Sequence, residues 1–174
     1  VAGFSFGGVI GGQAVKLLGA QVKTFTLVGA SGMQLTRPPM ELMRRTDDMS
    51  EAQREAAYIH NAMTLMLHDR ANLDALGLHI HKTNDANGRL RSRKISLGDS
   101  LRLALPDIKA RIAGIWGEYD ATAVGHMHER PQLLRSIQPA APFTVIKDAG
   151  HWVQYEKSDA FNAALIETIA HLSA

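Results

Sequence analysis

The hydrophobic and polar positions of the chain follow two different patterns. In residues 1–32 and 100–174, short apolar runs that end in turn residues predict strands, and apolar residues at helical spacing predict helices. Because strands alternate with helices there, we expect an α/β fold with a parallel sheet flanked by helices. The predicted strands cover residues 22–28, 112–116 and 143–146, with a strand stub at residues 1–2. The predicted helices cover residues 7–18, 131–137 and 158 onward, and a short helix begins near Pro106.

Residues 33–99 differ because they are polar, rich in methionine and helical in spacing. Ser50 and Gln53 have the form of a capping box, in which each side chain accepts from the other residue's backbone N–H. Apolar side chains then recur at helical spacing over residues 59–67, a second helix is predicted over 73–80, and 85–88 predicts a turn. The methionines of this segment either line an adaptable cavity or fill helix core; they are Met33, Met40, Met43, Met49, Met63 and Met66.

Composition and charge exclude several functional classes. The 174 residues are 45% apolar and 21% charged, which is ordinary for one soluble domain. The formal net charge is +2, and the densest basic stretch, residues 89–94, has no interleaved aromatic residue and predicts a solvated surface rather than a nucleic-acid site. No run approaches the roughly 18 apolar residues of a membrane span. The absence of cysteine fits a reducing compartment, so we expect a cytoplasmic protein.

One glycine-rich turn has the form of a nucleophile elbow. Gly3-Phe4-Ser5-Phe6-Gly7 matches G-x-S-x-G, and a predicted helix follows at once. A serine on a sharp strand-to-helix turn exposes its hydroxyl above the sheet, and the close approach of strand and helix requires small residues two before and two after it. The alternative is a turn without chemistry or one that binds phosphate, but neither phosphate-binding glycine pattern is present here.

A serine hydroxyl is a weak nucleophile until a base takes its proton. Where an elbow serine works with a base, a carboxylate and then a histidine follow it in the chain, each placed after a strand. Asp120 follows the strand predicted over 112–116, and His151 follows the strand over 143–146. Glu118 and Asp148 are competing carboxylates, and we favour Asp120.

These segments resemble the α/β-hydrolase superfamily. Residues 115–120 (Ile-Trp-Gly-Glu-Tyr-Asp) and 149–156 (Ala-Gly-His-Trp-Val-Gln-Tyr-Glu) are similar to its two C-terminal signatures, above all to those of the meta-cleavage-product hydrolases, which cleave carbon–carbon bonds. With residues 3–8, the resemblance covers the chain in order and is weak only between 33 and 99. Branches with an aspartate nucleophile, the dehalogenases and epoxide hydrolases, are disfavoured because position 5 is serine.

The resemblance implies roles for individual residues. It makes Ser5 the nucleophile, His151 the base, Asp120 the residue that orients the base, and the backbone N–H of Phe6 an oxyanion donor. It also implies a hydrolase core formed by residues 1–32 and 100–174, with 33–99 inserted as a helical lid. The substrate is expected to be a small carbonyl compound: an ester, a lactone, or a diketone cleaved at a carbon–carbon bond.

The resemblance implies no cofactor and no metal. His79 and His81 form an H-x-H pair, as do His126 and His128, but each pair would need a third ligand, so surface histidines are favoured. Carbon–carbon hydrolases also hold a substrate carboxylate with a lid arginine. For that role the sequence offers Arg44, Arg45, Arg70, Arg89, Arg91 and Arg93.

Only four residues precede Ser5, so the sequence predicts a partial fold without N-terminal strands or the loop that carries a second oxyanion donor. We expect the parent protein to be a serine hydrolase and the chain as given to be poorly active; the alternative is a non-catalytic truncated module. The remaining sheet is expected to have three strands, a raw edge at the strand from residue 22, and an exposed patch of Val9, Ile10 and Val15. Such surfaces favour self-association or pairing with a missing N-terminal segment, and 33–99 is expected to be the most mobile part.

Overall fold

The computed structural model describes residues 1–90 and 92–173, so Arg91, one of the lid arginines considered above, lies outside the described residues. Parallel strands form one sheet in the order β1-β2-β3-β4, and each connection is a crossover that contains helices. The strands are β1 (Ala2–Phe4), β2 (Thr24–Val28), β3 (Arg111–Gly117) and β4 (Phe143–Ile146). The parallel sheet flanked by helices confirms the predicted fold class.

The helices lie between and after these strands. The predicted helices over 7–18 and 131–137 are confirmed to within two residues, and Pro106 lies in the first turn of a short 3-10 helix, as expected. In chain order the α-helices are α1 (Phe6–Leu18), α2 (Glu51–Asn61), α3 (Ala75–Ala86), α4 (Arg93–Ser96), α5 (Ser100–Ala104), α6 (Glu129–Ile137), α7 (Val153–Glu156) and α8 (Ser158–Ser173). Shorter helical turns cover Gly19–Gln21, Ala62–Met66, Arg70–Asn72 and Leu105–Asp107.

The sheet has one strand more than the three that the sequence predicted. The residues before Ser5 form β1, which pairs with β2 in the register Ala2 to Thr26 and Phe4 to Val28. The expected raw edge at β2 is therefore wrong, because β2 is hydrogen-bonded on both sides, to β1 and to β3.

The expected patch on α1 is also largely wrong. Val9 is 3% exposed and Val15 is fully buried, whereas Ile10 is 54% exposed as predicted. The reason is that α1 packs on β1 and closely against α5: a Cβ added at Gly12 would lie 2.4 Å from Leu101 Cδ1. Contacts with β1 and α5 therefore bury Val9 and Val15.

Hydrophobic residues pack on both faces of the sheet, because successive strand side chains point to opposite sides. One face carries Phe25, Leu27 and Ile112 against α1, α5 and α6. The other carries Val28 and Ile115 against α7 and α8. On α8, Phe161 and Leu172 are buried, whereas Ile169 is 43% exposed. No helix in the described part of the chain is long and apolar enough to cross a membrane.

Residues 33–99, called the inserted segment from here on, connect β2 to α5. The predicted capping box opens α2: Gln53 N donates to Ser50 Oγ at 3.2 Å, and Ser50 N donates to Gln53 Oε1 at 2.8 Å. The turn predicted over 85–88 begins too early, because α3 continues to Ala86. A small cluster that includes Ala62, Leu67, Leu73 and Trp152 packs this segment against the chain just after His151.

Candidate active site

Ser5 lies at the junction of β1 and α1 in a backbone conformation that L-residues seldom adopt, with φ 49° and ψ −119°. Hydrogen bonds hold it from the neighbouring strand: Ser5 N donates to Val28 O at 2.9 Å, and Ser31 N donates to Ser5 O at 3.1 Å. A non-glycine residue persists in such a conformation only when its surroundings impose it, and that is frequent at functional sites.

Glycines allow strand and helix to approach at this turn, but only one of the two positions that the motif suggested, Gly3, is tight. A Cβ at Gly3 would lie 2.7 Å from Gly7 O, and a Cβ at Gly8 would lie 2.6 Å from Ala30 Cβ. A Cβ at Gly7 would meet no atom within 4 Å, so the expected need for a small residue there is wrong. The tight position after the serine is Gly8, where α1 crosses the end of β2.

The fold brings Ser5, His151 and Asp120 into one hydrogen-bonded chain. His151 Nε2 lies 3.0 Å from Ser5 Oγ, and His151 Nδ1 lies 2.9 Å from Asp120 Oδ2. Because an ionised carboxylate only accepts, His151 Nδ1 carries the donated proton and Nε2 is left as the acceptor for the serine hydroxyl. Ser5 follows β1, Asp120 follows β3 and His151 follows β4, so the carboxyl ends of three parallel strands supply all three side chains.

Asp120 is fully buried, and its carboxylate has donors on both oxygens. Thr122 donates to Oδ1 from its backbone N–H at 2.8 Å and from its hydroxyl at 2.7 Å. Burial by itself raises the pKa of the Asp120 carboxyl, but the charge and hydrogen bond of His151 and the donors of Thr122 outweigh it and leave the pKa below its ordinary value. Asp120 is therefore held ionised beside the imidazole.

Gly29 makes room for the pair formed by His151 and Asp120. It has φ +48°, and a Cβ there would lie 3.2 Å from both His151 Nδ1 and Asp120 Oδ2. The competing carboxylates lie elsewhere: Glu118 and Asp148 are both exposed, and Glu118 Oε2 accepts from Asp148 N at 3.1 Å. Neither of them contacts the histidine in the described structure.

Phe6, the expected oxyanion donor, directly follows Ser5 and is the first residue of α1. The backbone N–H groups of the first helical turn have no acceptor within the helix. Such groups attract negative charge, which suits an oxyanion next to Ser5.

A cavity of about 470 Å³ opens in front of Ser5 and His151. Its volume lies within the range of small-molecule sites. Of the methionines that could have lined a cavity, Met40 and Met66 do so, whereas Met33 is buried in the main core. The other cavity residues are Phe6, Ser31, Arg37, Pro38, Pro39, Leu42, Leu65, Ser92, Arg93, Ser96 and Leu97.

Arg37 is the cavity residue that sequence reasoning missed. Its Nε is buried and has no hydrogen-bond partner among the described residues. Burial lowers the pKa of its guanidinium, an effect that Asp120 opposes and the nearby charge of Arg93 reinforces. The available signal was the Arg37-Pro38-Pro39 sequence, which stiffens the chain beside a cation at the start of the inserted segment.

Of the arginines that the sequence offered, Arg93 alone among those described lines the cavity. Arg45 pairs with Asp85 and lies over the Tyr58 ring, and Arg70 donates to Leu73 O. The H-x-H pairs gain no third ligand: within residues 1–90 and 92–173, no group of three possible metal ligands occurs.

Comparison with known proteins gives matches at the level of structure. A scan against protein-family models finds no match, and a search of curated proteins finds none either. A serine hydrolase from Cycloclasticus zankles, a bacterium that degrades polyaromatic hydrocarbons, is 21% identical with a TM-score of 0.64, covering 94% of this chain and 61% of that chain.

Two further hydrolases are similar in the same way. The meta-cleavage product hydrolase from Pseudomonas fluorescens IP01 is 18% identical with a TM-score of 0.67, covering 98% of this chain and 64% of that one. The 2-hydroxy-6-oxo-6-phenylhexa-2,4-dienoate hydrolase from Rhodococcus sp. strain RHA1 is 22% identical with a TM-score of 0.67, covering 97% and 63%. This chain thus spans less than two thirds of each. At such identities the likeness establishes the fold: from the strand that precedes Ser5 onward, the chain has the α/β-hydrolase fold.

Proposed function

We propose that the protein is a hydrolase in which Ser5 is the nucleophile, His151 the general base and Asp120 the residue that orients and stabilises the imidazolium. The observation that carries this proposal is the hydrogen-bonded chain from Ser5 Oγ through both ring nitrogens of His151 to Asp120 Oδ2. The strained backbone of Ser5 supports it, since strain of this kind exposes a nucleophile above the sheet.

The reaction would run through an acyl-enzyme. Ser5 Oγ attacks the substrate carbonyl while His151 Nε2 takes the hydroxyl proton, and the imidazolium then returns that proton to the leaving group. Water attacks the acyl-serine in a second step, with His151 again as base, and releases the acid. Asp120 accepts from Nδ1–H throughout and does not itself take a proton.

Negative charge on the carbonyl oxygen needs donors that are already in place. We assign one of these to the backbone N–H of Phe6, at the start of α1. Removing a single oxyanion donor costs about 10²–10³ in rate in other hydrolases, so this group is worth several kcal/mol.

We further propose that the substrate is a small carbonyl compound that carries a carboxylate. The cavity has a largely apolar wall that includes Pro38, Pro39 and Leu97, and it also holds the cations Arg37 and Arg93. A substrate carboxylate would pair with the guanidinium of Arg37 and relieve the repulsion between the two guanidinium groups. The arginines therefore favour an acidic substrate, cleaved at a carbon–carbon bond or at an ester, over a neutral ester.

The inserted segment would act as a lid over a core made of residues 1–32 and 100–173. It supplies most of the cavity wall, with lining residues from 37–42, 65–66 and 92–97. Closing such a wall over the substrate would exclude water from the acyl-enzyme, except for the water that hydrolyses it.

The test is the substitution Ser5→Ala in the intact protein. Loss of its nucleophile should abolish turnover and prevent labelling by a fluorophosphonate, which reacts with activated serine hydroxyls. Ser136→Ala removes an exposed serine on α6 and is the matched control. If Ser5→Ala retained turnover or labelling comparable to Ser136→Ala, the assignment of Ser5 as nucleophile would be wrong.

A further inference from the structure

Glu156 is a buried carboxyl group with no cation at salt-bridge distance in the described structure. The residue is 7% exposed and ends the short helix α7, which follows His151. Three backbone N–H groups and one side-chain amide donate to it. Burying a carboxylate costs free energy unless hydrogen bonds compensate for the lost water, and these four donors supply that compensation.

The two oxygens of Glu156 serve different parts of the chain. Oε1 accepts from Asp69 N at 2.7 Å and from Asn72 Nδ2 at 3.1 Å, both in the inserted segment. Oε2 accepts from Gly150 N at 2.6 Å, the peptide directly before His151. His68 N lies 3.0 Å from both oxygens and joins the two halves.

Further contacts hold the same two turns together. Trp152 N donates to Met66 O at 2.7 Å, so the peptide after His151 is bonded directly to the inserted segment, whereas the peptide before it reaches that segment through Glu156. A Cβ at Gly150 would lie 2.6 Å from His68 N, so the two turns pack too closely for any side chain at position 150. The His68 ring stacks on Tyr119, the neighbour of Asp120, with centroids 3.8 Å apart.

We propose that Glu156 is a positioning residue for His151, and that it makes the alignment of the base depend on docking of residues 66–72 of the inserted segment. The proposal rests on the function assigned above and adds a coupling to it. When residues 68–72 are docked, their N–H groups fix Glu156, which then fixes the Gly150 peptide and the imidazole that follows. When they undock, Oε1 loses its donors and the His151 turn loses its anchor.

The chemistry of the site explains why a carboxylate is required. A glutamine at position 156 would keep one acceptor oxygen and place an N–H₂ group against either Gly150 N–H or Asp69 N–H, which are both donors. An aspartate is shorter by one methylene and could not reach both turns. Only an ionised glutamate satisfies every donor at once.

The experiment compares Glu156→Gln with Tyr155→Phe. The Tyr155 hydroxyl donates to Asp74 Oδ1 at 2.5 Å and so ties the same part of the chain to the start of α3, but this hydroxyl makes no hydrogen bond to the His151 turn. Phenylalanine keeps the Tyr155 ring that stacks on Trp152. In Glu156→Gln, we expect the downfield proton resonance of His151 Nδ1–H to broaden or shift, and kcat to fall about 10- to 100-fold, as misplaced catalytic groups do elsewhere. In Tyr155→Phe, we expect the wild-type resonance and kcat, with any change confined to KM.

A folded Glu156→Gln protein with the wild-type resonance and kcat would overturn the proposal. The resonance is recorded without substrate, so this result is separate from a failure of Ser5 as nucleophile. If Glu156→Gln does not fold, amide hydrogen exchange of the wild-type protein decides. Protection of Gly150, His68 and Asp69 N–H that is lost in one common opening supports the coupling, and independent exchange of Gly150 refutes it.

Discussion

Thr122 donates two hydrogen bonds to a single oxygen of Asp120, from its backbone N–H at 2.8 Å and from its hydroxyl at 2.7 Å. The other carboxylate oxygen is thereby left for His151 Nδ1. Hydrogen bonds to a charged acceptor contribute about 1.5–3 kcal/mol, so the Thr122 donors add to the larger effect of His151 in keeping a fully buried carboxylate ionised. Thr122 thereby fixes the position of the Asp120 carboxylate in the turn after β3.

Replacing Thr122 by Val should reduce both stability and its dependence on pH. Because the pKa of Asp120 is lowered in the folded state, ionised Asp120 stabilises the fold above about pH 4, the ordinary aspartate value, and that stability is lost as pH falls through the lower folded pKa. The variant lacks one donor, so its folded pKa lies closer to the ordinary value. We expect a loss of about 2 kcal/mol above pH 5 that shrinks toward pH 3.

Urea unfolding of both proteins between pH 3 and pH 7 measures this difference. Thr122→Ser keeps the hydroxyl and serves as the control, with near-wild-type pH dependence expected. A loss of stability in Thr122→Val that is equal at every pH would show that packing, rather than the charge of Asp120, accounts for the role of Thr122.

The elbow glycines give a second prediction, from a matched pair of neighbours. Gly8→Ala should destabilise the protein by about 2 kcal/mol or more and lower activity, because its Cβ would lie 2.6 Å from Ala30 Cβ. Gly7→Ala should be neutral or stabilise by up to about 1 kcal/mol, because its Cβ meets no atom within 4 Å and alanine favours the helix. Thermal unfolding of the two variants decides, and equal effects would contradict the assignment of the tight position to Gly8.

Gly7 also shows where sequence reasoning reaches its limit. The motif, the order of the strands and the placement of Asp120 and His151 after strands were visible in the sequence, because they depend on local patterns. Which glycine carries the close contact depends on where α1 crosses β2, and that is a tertiary property. The strand β1 was underestimated for the same reason: three residues carry little pattern of their own and become a strand only by pairing with β2.

The cavity was harder still to predict. Arg37 lies in a stretch without regular structure, and its unpaired Nε is a consequence of burial that no spacing encodes. Three of the donors to Glu156 come from residues 84 to 88 positions away in the sequence. All but the Asn72 amide are peptide N–H groups, which every residue type except proline carries, so sequence alone could not reveal them.

Arg130 provides a third prediction, away from the reacting atoms. This buried arginine on α6 donates to Thr36 O at 2.8 Å and Thr122 O at 2.7 Å, and so ties the start of the inserted segment to the turn after Asp120. Arg130→Met would leave these carbonyls without that donor and should cost about 3 kcal/mol in the free energy of unfolding. Arg135→Met, an exposed change on the same helix, should stay within about 0.5 kcal/mol of wild type.

Urea unfolding of the two arginine variants is the measurement. Similar unfolding midpoints for Arg130→Met and Arg135→Met would show that the carbonyls find water or other donors, and that the tie between the two turns is not needed for stability.

The last prediction separates substrate recognition from stability at Arg37. Arg37→Met removes a half-buried guanidinium whose buried Nε has no hydrogen-bond partner among the described residues, so the variant should be as stable as wild type or more stable. It should lower kcat/KM about 10- to 100-fold for an aryl ester that carries a carboxylate, since a charge-assisted bond is lost, and change it less than about threefold for a neutral ester of similar size. Arg44→Met, at an exposed position outside the cavity, is the control and should leave both values unchanged. Equal losses for the two esters, together with a lower melting temperature, would mean that Arg37 supports the cavity wall and does not select an anionic substrate.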